Sequence, residues 1–354
     1  MTKILIVDDS ALMRKLLREI FEKEGNFIIE TARNGKEAIE KNLSFQPDVI
    51  TLDINMPEMD GITALSHIMN QRPVPVVMVS SLTEKGAIAT FEALNLGAVD
   101  YVTKPGGTIS LNIDEIRDEI ISKVKAATRA KLKTKAVVRK IREEREKILK
   151  PSPPKEISTK DERFVLIGVS TGGPRTLEEI LPELPADFPM PVIVAQHMPP
   201  TFTKSFAERL NSICELNVVE VDHPIPVETG TIYIGKGGTD VVLARRAQKL
   251  IVHSKPENPS FLWHPSVEIL GRSALEHCDP RKIIAVMLTG MGYDGADAFT
   301  EIKKRGGKTI AESEESAVVF GMPRELIERG GATVVLPAEK IAKQIIKWAK
   351  EKGY

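Results

Sequence analysis

The chain has 354 residues, of which 42% are hydrophobic and 28% are charged, and its 49 Lys and Arg residues balance its 49 Asp and Glu residues. By the usual length of about 150 residues per domain, we expect two domains. The balanced charge gives no overall field that favours nucleic acid or acidic membranes. Cys214 and Cys278 lack the spacing of a disulfide framework or a zinc site.

The first 125 residues alternate short β-branched runs with helical patterns. Such alternation predicts parallel strands joined by crossover helices, in one α/β domain over residues 1–125. The strand runs are KILIV (3–7), DVITL (48–52), PVVMVS (75–80) and DYVTK (100–104).

The composition then shifts over residues 126–160. This stretch contains the charge-dense run KIREEREKILK, followed by Pro151, Pro153 and Pro154, which cannot continue a helix. We expect a charged, partly helical linker here.

Residues 161–354 again alternate apolar runs with glycine-rich turns and helical stretches, so a second doubly wound parallel sheet is expected, with a strand order that the sequence does not reveal. The runs lie at 163–169, 190–195, 231–234, 249–252, 283–288 and 333–336.

Polar side chains follow three strands of the first domain. Asp8 and Asp9 follow the first run, Asp53 ends the second, and Lys104 ends the last. Ligands of open parallel sheets bind beyond the carboxyl ends of the strands, so these groups should converge. Clustered carboxylates repel one another unless a cation lies among them, which indicates Mg²⁺ with a phosphate and a phosphate-binding lysine. Taken singly, Asp8 and Asp9 could instead cap a helix.

The motifs VDDSALMR, LDINMPEMDG, MVSS and TKP resemble those of response-regulator receiver domains, in the same order and spacing, over about residues 2–122. The resemblance implies a flavodoxin-like fold, with Asp53 as the phosphorylated carboxylate. It also implies roles for the magnesium acids Asp8 and Asp9, the carbonyl ligand Asn55, the switch residues Ser80 and Tyr101, and the phosphate-contacting Lys104.

The second domain opens with a strand followed by Ser170, two glycines and a helical pattern. A serine at such a turn exposes its hydroxyl, and residues 168–172 fit the G-x-S-x-G pattern of hydrolase nucleophiles. A phosphate-binding glycine loop and a plain helix N-cap are the alternatives.

A nucleophilic serine needs a base and an acid. Of the six histidines, only His197 directly follows a wholly apolar strand run, and Asp294 lies in a glycine-rich loop beyond a third run. Asp297 is the nearest competitor for the acid, and Asp294 could instead cap a tight turn.

The segments GVSTGGP, QHMPPTFTKSFAERL, LTGMGYDGA and VVFGMPRE closely resemble the chemotaxis protein-glutamate methylesterases, from about residue 163 to the C-terminus. The resemblance implies a Rossmann-like hydrolase domain with the triad Ser170, His197 and Asp294. Met291 would donate its backbone N–H to the oxyanion, with Thr171 beside the nucleophile. The family's usual arginine and aspartate around Pro-Ser-Val appear here as His264 and Glu268.

The joint expectation is a phosphorylation-regulated serine hydrolase that demethylates receptor glutamate esters and, by resemblance, deamidates receptor glutamines. The receiver would cover the Ser170 cleft until Asp53 is phosphorylated by the histidine kinase of the chemotaxis system. Mg²⁺ would serve the receiver, and the esterase would need no cofactor. A non-enzymatic, phosphorylation-gated binding module is the alternative.

The expected partners are chemotaxis receptors and that kinase, without nucleic acid and without direct membrane insertion. Residues 1–13 lack the apolar core of a secretory signal, and no uncharged stretch of 18 residues occurs. The expected location is therefore the cytoplasm, with peripheral association to receptor arrays.

Overall fold

The computed structural model describes residues 1–81, 83–104, 113–130, 163–247 and 249–351. The chain divides into two compact units, Met1–Lys147 and Ile148–Tyr354. Each unit contains a parallel sheet, which confirms the predicted α/β class. Most of the predicted linker at 126–160 lies outside the described residues, so the domain boundaries at 125 and 161 stay predictions.

The described part of the first unit contains five parallel strands. They are β1 (Thr2–Val7), β2 (Phe27–Ala32), β3 (Val49–Asp53), β4 (Val76–Ser80) and β5 (Asp100–Thr103). Their order is β2-β1-β3-β4-β5, the flavodoxin-like arrangement. The sequence analysis missed β2, because this edge strand is only partly buried and lacks a continuous apolar run.

Five helices accompany this sheet among the described residues of the first unit. They are α1 (Ala11–Glu24), α2 (Gly35–Ser44), α3 (Gly61–Gln71), α4 (Glu84–Leu96) and α5 (Ile113–Ala127). Helix α1 packs with α5, while α2, α3 and α4 pack in series, so helices cover the sheet in two layers. The N-caps of α1 to α4 are Ser10, Asn34, Asp60 and Thr83, each of which accepts a backbone hydrogen bond.

The second unit contains a seven-stranded parallel sheet. Its strands are β6 (Phe164–Val169), β7 (Val192–Gln196), β8 (Asn217–Val221), β10 (Thr231–Gly235), β13 (Ile283–Met287), β14 (Lys308–Glu312) and β15 (Val334–Leu336). The order is β15-β14-β13-β6-β7-β10-β8. Strand β6 is therefore flanked by β13 and β7, and all of its residues are buried.

Within residues 163–247 and 249–351, six helices and two 3₁₀ turns accompany the strands of the second unit. The helices are α6 (Gly173–Ile180), α7 (Pro200–Asn211), α8 (Val267–His277), α9 (Ala296–Lys304), α10 (Met322–Glu328) and α11 (Ala338–Lys350), and the turns are Leu181–Glu183 and Pro280–Lys282. Helices α8, α9 and α10 pack in series, and α6 packs with α11. Phe164 and Leu166 of β6 join the apolar core that includes Val267 and Leu270 of α8.

One predicted strand belongs to a different sheet. The run at 249–252 was predicted to join the parallel sheet, and this is wrong, because it lies in β12 (Lys249–Pro256) of a separate antiparallel sheet. There β12 lies between β11 (Thr239–Arg246) and the short β9 (Ile225–Pro226). An apolar run identifies a buried strand but not the neighbour with which it pairs.

Within the described ranges, no helix is both long enough and apolar enough to span a membrane.

Candidate functional site

The acids predicted to bind a metal lie together at one edge of the first sheet. Asp8 and Asp9 follow β1, and Asp53 ends the neighbouring β3. One carboxylate oxygen from each lies within 4.8 Å of the other two. Asp8 and Asp53 are buried and Asp9 is exposed, so the cluster reaches solvent on one side. Three hard oxygen donors at this spacing suit a small divalent cation.

The capping alternative for Asp8 and Asp9 is wrong. Ser10 is the N-cap of α1, and its hydroxyl accepts the N–H of Met13. The Oδ1 atom of Asp8 instead accepts the N–H of Ser10 at 2.9 Å, which fixes the carboxylate beside the strand end.

Lys104 lies between the two buried acids. Its Nζ atom is 2.8 Å from Oδ2 of Asp53 and 2.9 Å from Oδ2 of Asp8. Burial raises the pKa of Asp53, and the charge of Asp8 adds to this, against the opposing effects of Lys104 and the N–H of Asn55. Burial disfavours the Lys104 cation, yet the two carboxylates raise its pKa above the ordinary value. The two buried acids of the cluster therefore share one compensating base, Lys104.

The predicted switch residues lie on the adjoining strands. Ser80 ends β4, and its buried hydroxyl donates to the carbonyl of Gly86 at 3.2 Å. The N–H of Lys104 donates to the carbonyl of Ser80, which joins the lysine to this strand end. Tyr101 is buried in β5, and the Nζ of Lys123 lies 4.9 Å from its ring centroid. Burial raises the pKa of Tyr101 well above its ordinary value. Their switching roles stay predictions.

The second sheet brings the three predicted triad positions to neighbouring strand ends. Ser170 follows β6, His197 follows β7, and Asp294 lies in the loop after β13. The N–H of His197 donates to the carbonyl of Val169 at 3.1 Å, and the N–H of Ser170 donates to Thr289 beyond β13 at 2.9 Å. The strands that precede the proposed base and acid therefore lie on either side of β6, the strand that precedes the serine.

Ser170 is not the cap of the helix that follows it. The N-cap of α6 is Gly172, with φ of +77° and no side-chain cap. A Cβ atom at Gly172 would lie 2.6 Å from Cβ of Val318, so both the backbone angle and the space require glycine. The turn therefore leaves the Ser170 hydroxyl without a capping role.

His197 and Asp294 form a direct pair. The Nε2 atom of His197 lies 2.8 Å from Oδ2 of Asp294, and both side chains are buried. Among the described residues, the buried Nδ1 atom of His197 has no hydrogen-bond partner. A neutral imidazole that donates from Nε2 carries its lone pair on Nδ1, so Nδ1 is the basic nitrogen of this arrangement.

Asp294 is held by four donors. Besides His197, it accepts the Ser266 hydroxyl at 2.9 Å, the Val267 N–H at 2.6 Å and the Glu268 N–H at 3.0 Å. The last two belong to the first turn of α8, where free N–H groups and the helix dipole favour an anion. Burial of Asp294 opposes its ionisation. The pKa of Asp294 is nevertheless lowered, because His197 contributes a hydrogen bond and a charge and the two backbone N–H groups contribute hydrogen bonds. The carboxylate therefore stays ionised.

The competing acid is placed elsewhere. The side chain of Asp297 is 69% exposed and its Oδ1 pairs with Nε of Arg329 at 3.0 Å. The capping alternative for Asp294 is also wrong, because the N-cap of α9 is Gly295, which supplies no side-chain cap.

The loop after β13 approaches the serine closely. A Cβ atom at Gly290 would lie 2.8 Å from Cβ of Ser170 and 3.1 Å from its backbone nitrogen. Met291 follows Gly290 in this loop. The backbone carbonyl of the buried Thr171 accepts a 2.9 Å hydrogen bond from the hydroxyl of Thr289. The oxyanion role of Met291 and the supporting role of Thr171 stay predictions.

His264 and Glu268, which depart from the family pattern, both make structural contacts. Nδ1 of His264 lies 2.8 Å from Oδ1 of the buried Asp240. Glu268 accepts the N–H of Ala298 at 2.9 Å, near the start of α9, and Nε of Arg272 at 2.8 Å. In this chain the two positions therefore support α8, α9 and the loop that precedes α8.

The sequence analysis missed Ser266 and Thr289. Ser266 directly precedes the apolar helical pattern of α8, which is an N-cap signal that could have identified it. Thr289 has no comparable signal, because its role depends on contacts with Thr171 and Val319 across the fold.

Comparison with known families covers both units. The profile of the CheB methylesterase family matches residues 165–345, and that of the response regulator receiver domain matches residues 4–114. The crystal structure of the Thermotoga maritima CheB methylesterase catalytic domain is 44% identical, with a TM-score of 0.51, and its match covers 52% of this chain and 98% of that chain.

Two relatives match nearly the whole chain. A Rhodospirillum rubrum protein named protein-glutamate methylesterase/protein-glutamine glutaminase 3 is 55% identical, covering 98% of this chain and 96% of its own length. A protein of Caldanaerobacter subterraneus subsp. tengcongensis, named protein-glutamate methylesterase/protein-glutamine glutaminase, is 50% identical over 99% of this chain and 97% of its own length.

Proposed function

The chain belongs to the CheB methylesterase family, and from this membership we propose that Ser170, His197 and Asp294 carry out its hydrolytic chemistry. The enzyme is a protein-glutamate methylesterase and protein-glutamine glutaminase of chemotactic adaptation, with a receiver domain for control by phosphorylation. The observation that carries the residue assignment is the buried His197–Asp294 pair, which leaves Nδ1 of His197 as the available base beside the strand that ends at Ser170.

In the proposed reaction, the Ser170 hydroxyl attacks the carbonyl carbon of a glutamate methyl ester. Nδ1 of His197 accepts the hydroxyl proton, and Asp294 stabilises the resulting imidazolium through Nε2. The tetrahedral intermediate collapses, the C–O bond to the methoxy group breaks, and methanol leaves with the proton from Nδ1. Water then attacks the acyl-enzyme in the same way and releases glutamate. With a glutamine side chain, ammonia leaves instead of methanol.

The oxyanion of each intermediate needs a fixed donor, and we assign the backbone N–H of Met291 to it. The close approach of Gly290 to Ser170 supports this assignment, because it carries the following peptide toward the nucleophile. Losing one such donor typically costs about 3 kcal/mol in the barrier.

Replacing Ser170 with alanine tests the triad. The variant should release no methanol from methylated receptor, while its circular dichroism spectrum and the phosphorylation of Asp53 stay unchanged. If it keeps its methanol release, Ser170 is not the nucleophile. Receptor binding with normal affinity but without methanol release by the unmodified chain would instead favour the non-enzymatic binding module.

The receiver residues fit a magnesium-dependent phosphoacceptor. Asp8, Asp9 and Asp53 would hold the Mg²⁺ ion, with the carbonyl of Asn55, and the ion would neutralise charge on the phosphoryl oxygens. Lys104 pairs with two carboxylates, and it would replace one of these ion pairs with a contact to the phosphoryl group on Asp53. The backbone carbonyl of Ser80 accepts a hydrogen bond from the N–H of Lys104, so Ser80 would respond to that change. The buried Tyr101 would then respond to the change at Ser80.

We propose that phosphorylation of Asp53 by the chemotaxis histidine kinase raises the esterase rate. The test compares methanol release with and without a small-molecule phosphodonor, in the unmodified chain and in Asp53→Asn. Stimulation of the unmodified chain alone is expected. Equal rates in the presence and absence of the phosphodonor would contradict this control. Because the substrates are chemotaxis receptors, we also propose that the enzyme acts in the cytoplasm at receptor arrays.

A further inference from the structure

An indole ring lies against the proposed catalytic histidine. The rings of Trp263 and His197 are stacked, with centroids 5.7 Å apart and planes 5° from parallel. Tyr293, the neighbour of Asp294, contacts the indole edge-on, with centroids 5.4 Å apart. Both distances lie in the range of favourable aromatic contacts. The indole therefore contacts both the imidazole and the tyrosine ring.

The loop after β13 is shaped to admit this indole. Gly292 has φ of +81°, and a Cβ atom there would lie 2.7 Å from Cη2 of Trp263. Any side chain at this position would push the indole away from its place. Position 292 therefore requires glycine for two reasons, its positive φ and the space that the indole of Trp263 occupies.

The segment that carries Trp263 is tied down at both ends by one buried carboxylate. Asp240 accepts the N–H of Asn258 at 2.9 Å, the N–H of Ser266 at 2.9 Å, and Nδ1 of His264 at 2.8 Å. Asp240 is 1% exposed, so these bonds are shielded from water. The chain on both sides of Trp263 is consequently anchored to Asp240 through Asn258, His264 and Ser266.

A hydrogen bond at one ring nitrogen does not fix the direction of the other. Asp294 restrains Nε2 of His197, but the imidazole could still tilt about that contact. A ring stacked at 5° on one face opposes that tilt. We propose that Trp263 is a positioning residue for the esterase reaction, which holds the imidazole of His197 so that Nδ1 is directed toward Ser170. This inference rests on the proposed triad.

The test replaces Trp263 with leucine, which fills volume without a planar ring, and with phenylalanine, which keeps one. In the full-length chain, Trp263→Leu should lower kcat for methanol release by about 10- to 100-fold, because small displacements of a catalytic group carry penalties of this order. KM should change less than about 2-fold, and Trp263→Phe should recover most of kcat. Leu262→Ala, at the neighbouring position that is 74% exposed, is the control and should keep the normal rate.

A second measurement places Trp263→Leu in the His197→Ala background. Because Trp263 acts through His197, the leucine should cause no further loss there. The inference is overturned by equal losses in both backgrounds, by a raised KM with normal kcat, or by full activity of the leucine variant. If His197→Ala itself keeps the normal kcat, the proposed triad fails, which is a separate result from any effect of Trp263. Should the leucine variant not fold, the phenylalanine variant alone decides, and a tenfold lower kcat in it would contradict the proposal.

Discussion

The hydroxyl of Ser266 donates a 2.9 Å hydrogen bond to Oδ1 of Asp294, and the hydroxyl oxygen of Ser266 accepts the N–H of Ile269. One side chain thus caps α8 and orients the acid of the proposed triad. The N-terminus of this helix also supplies two backbone N–H groups to Asp294. Capping of α8 and the geometry of the proposed triad are therefore coupled through one side chain.

Replacing Asp294 with asparagine should lower kcat for methanol release by about four orders of magnitude, as in other serine triads that lose the acid. The amide keeps the size of the side chain but removes the charge that stabilises the imidazolium. Asp297→Asn is the matched control, since this nearby acid is exposed and paired with Arg329. A large loss in the control with little loss at Asp294 would reverse the assignment of the acid.

Replacing Ser266 with alanine should lower the stability of the catalytic unit by about 1 kcal/mol, the usual effect of losing an N-cap. It should also reduce kcat, because Asp294 loses a donor. Ser10→Ala removes the corresponding cap of α1 in the receiver. That control should lower the unfolding temperature of the receiver without changing phosphate-independent esterase kinetics. If Ser266→Ala also left kcat unchanged, the coupling between cap and triad would be disproved.

Asp294 should make stability depend on pH in the acid range. Its pKa is lower in the folded chain than the value of about 3.9 expected in the unfolded chain. The ionised group therefore stabilises the fold above the unfolded pKa, and this contribution is lost as the pH falls through the folded pKa. Calorimetry should show a constant stability difference between the unmodified chain and Asp294→Asn from about pH 5 to 8, which shrinks below about pH 4. A difference that grows on acidification would contradict the assigned direction.

Adding a methyl group at Gly290 should disable the active site. A Cβ atom there would lie 2.4 Å from Sδ of Met322 and 2.8 Å from Cβ of Ser170, so the loop or the serine must move. We expect Gly290→Ala to lower kcat at least tenfold. Gly230→Ala is the control, because its positive φ carries a strain cost but no atom lies within 4 Å of the added carbon. Methanol release at normal rate by Gly290→Ala would show that the loop tolerates the displacement.

Mg²⁺ should stabilise the receiver through Asp53. Because burial raises the pKa of Asp53, its neutral form favours the fold, and that contribution is lost as the pH rises through the folded pKa. A bound Mg²⁺ ion should offset this loss of stability at neutral pH. When the Mg²⁺ concentration is 100 times the dissociation constant, binding raises the free energy of unfolding by about 2.7 kcal/mol. Calorimetry should therefore show a higher receiver unfolding temperature with Mg²⁺ at pH 7 and a much smaller increase in Asp53→Asn. Asp118→Asn, at a 76% exposed side chain, should respond like the unmodified chain.

The residues at strand ends were predictable from the sequence because a polar residue after an apolar run marks the edge where parallel sheets bind ligands. Asp53 and His197 were located in this way. The order of the strands was not predictable, because pairing joins segments far apart in the chain. That order places the strands before His197 and Asp294 on either side of the strand before Ser170, so that the two side chains can pair.

Other parts of the site carried no sequence signal from the residues themselves. Trp263 lies in an irregular segment without periodicity, and its significance comes only from the distant ring of His197. Asp240, within the antiparallel β11, resembles any acid of an exposed strand until its three donors are known. Contacts between distant segments determine these roles, and local patterns do not encode them.

The position of β6 between β7 and β13 also sets when the three residues of the proposed triad can first come together. Ser170 and His197 are synthesised early in the second unit, whereas Asp294 follows β13, which must pair beside β6 before the acid reaches the histidine. A nascent chain that ends before β13 holds a serine and an imidazole but no charge to support proton transfer. Under the proposed triad, hydrolysis therefore requires β13 to pair beside β6, whereas β14 and β15 come later in the chain and extend the sheet on the far side of β13.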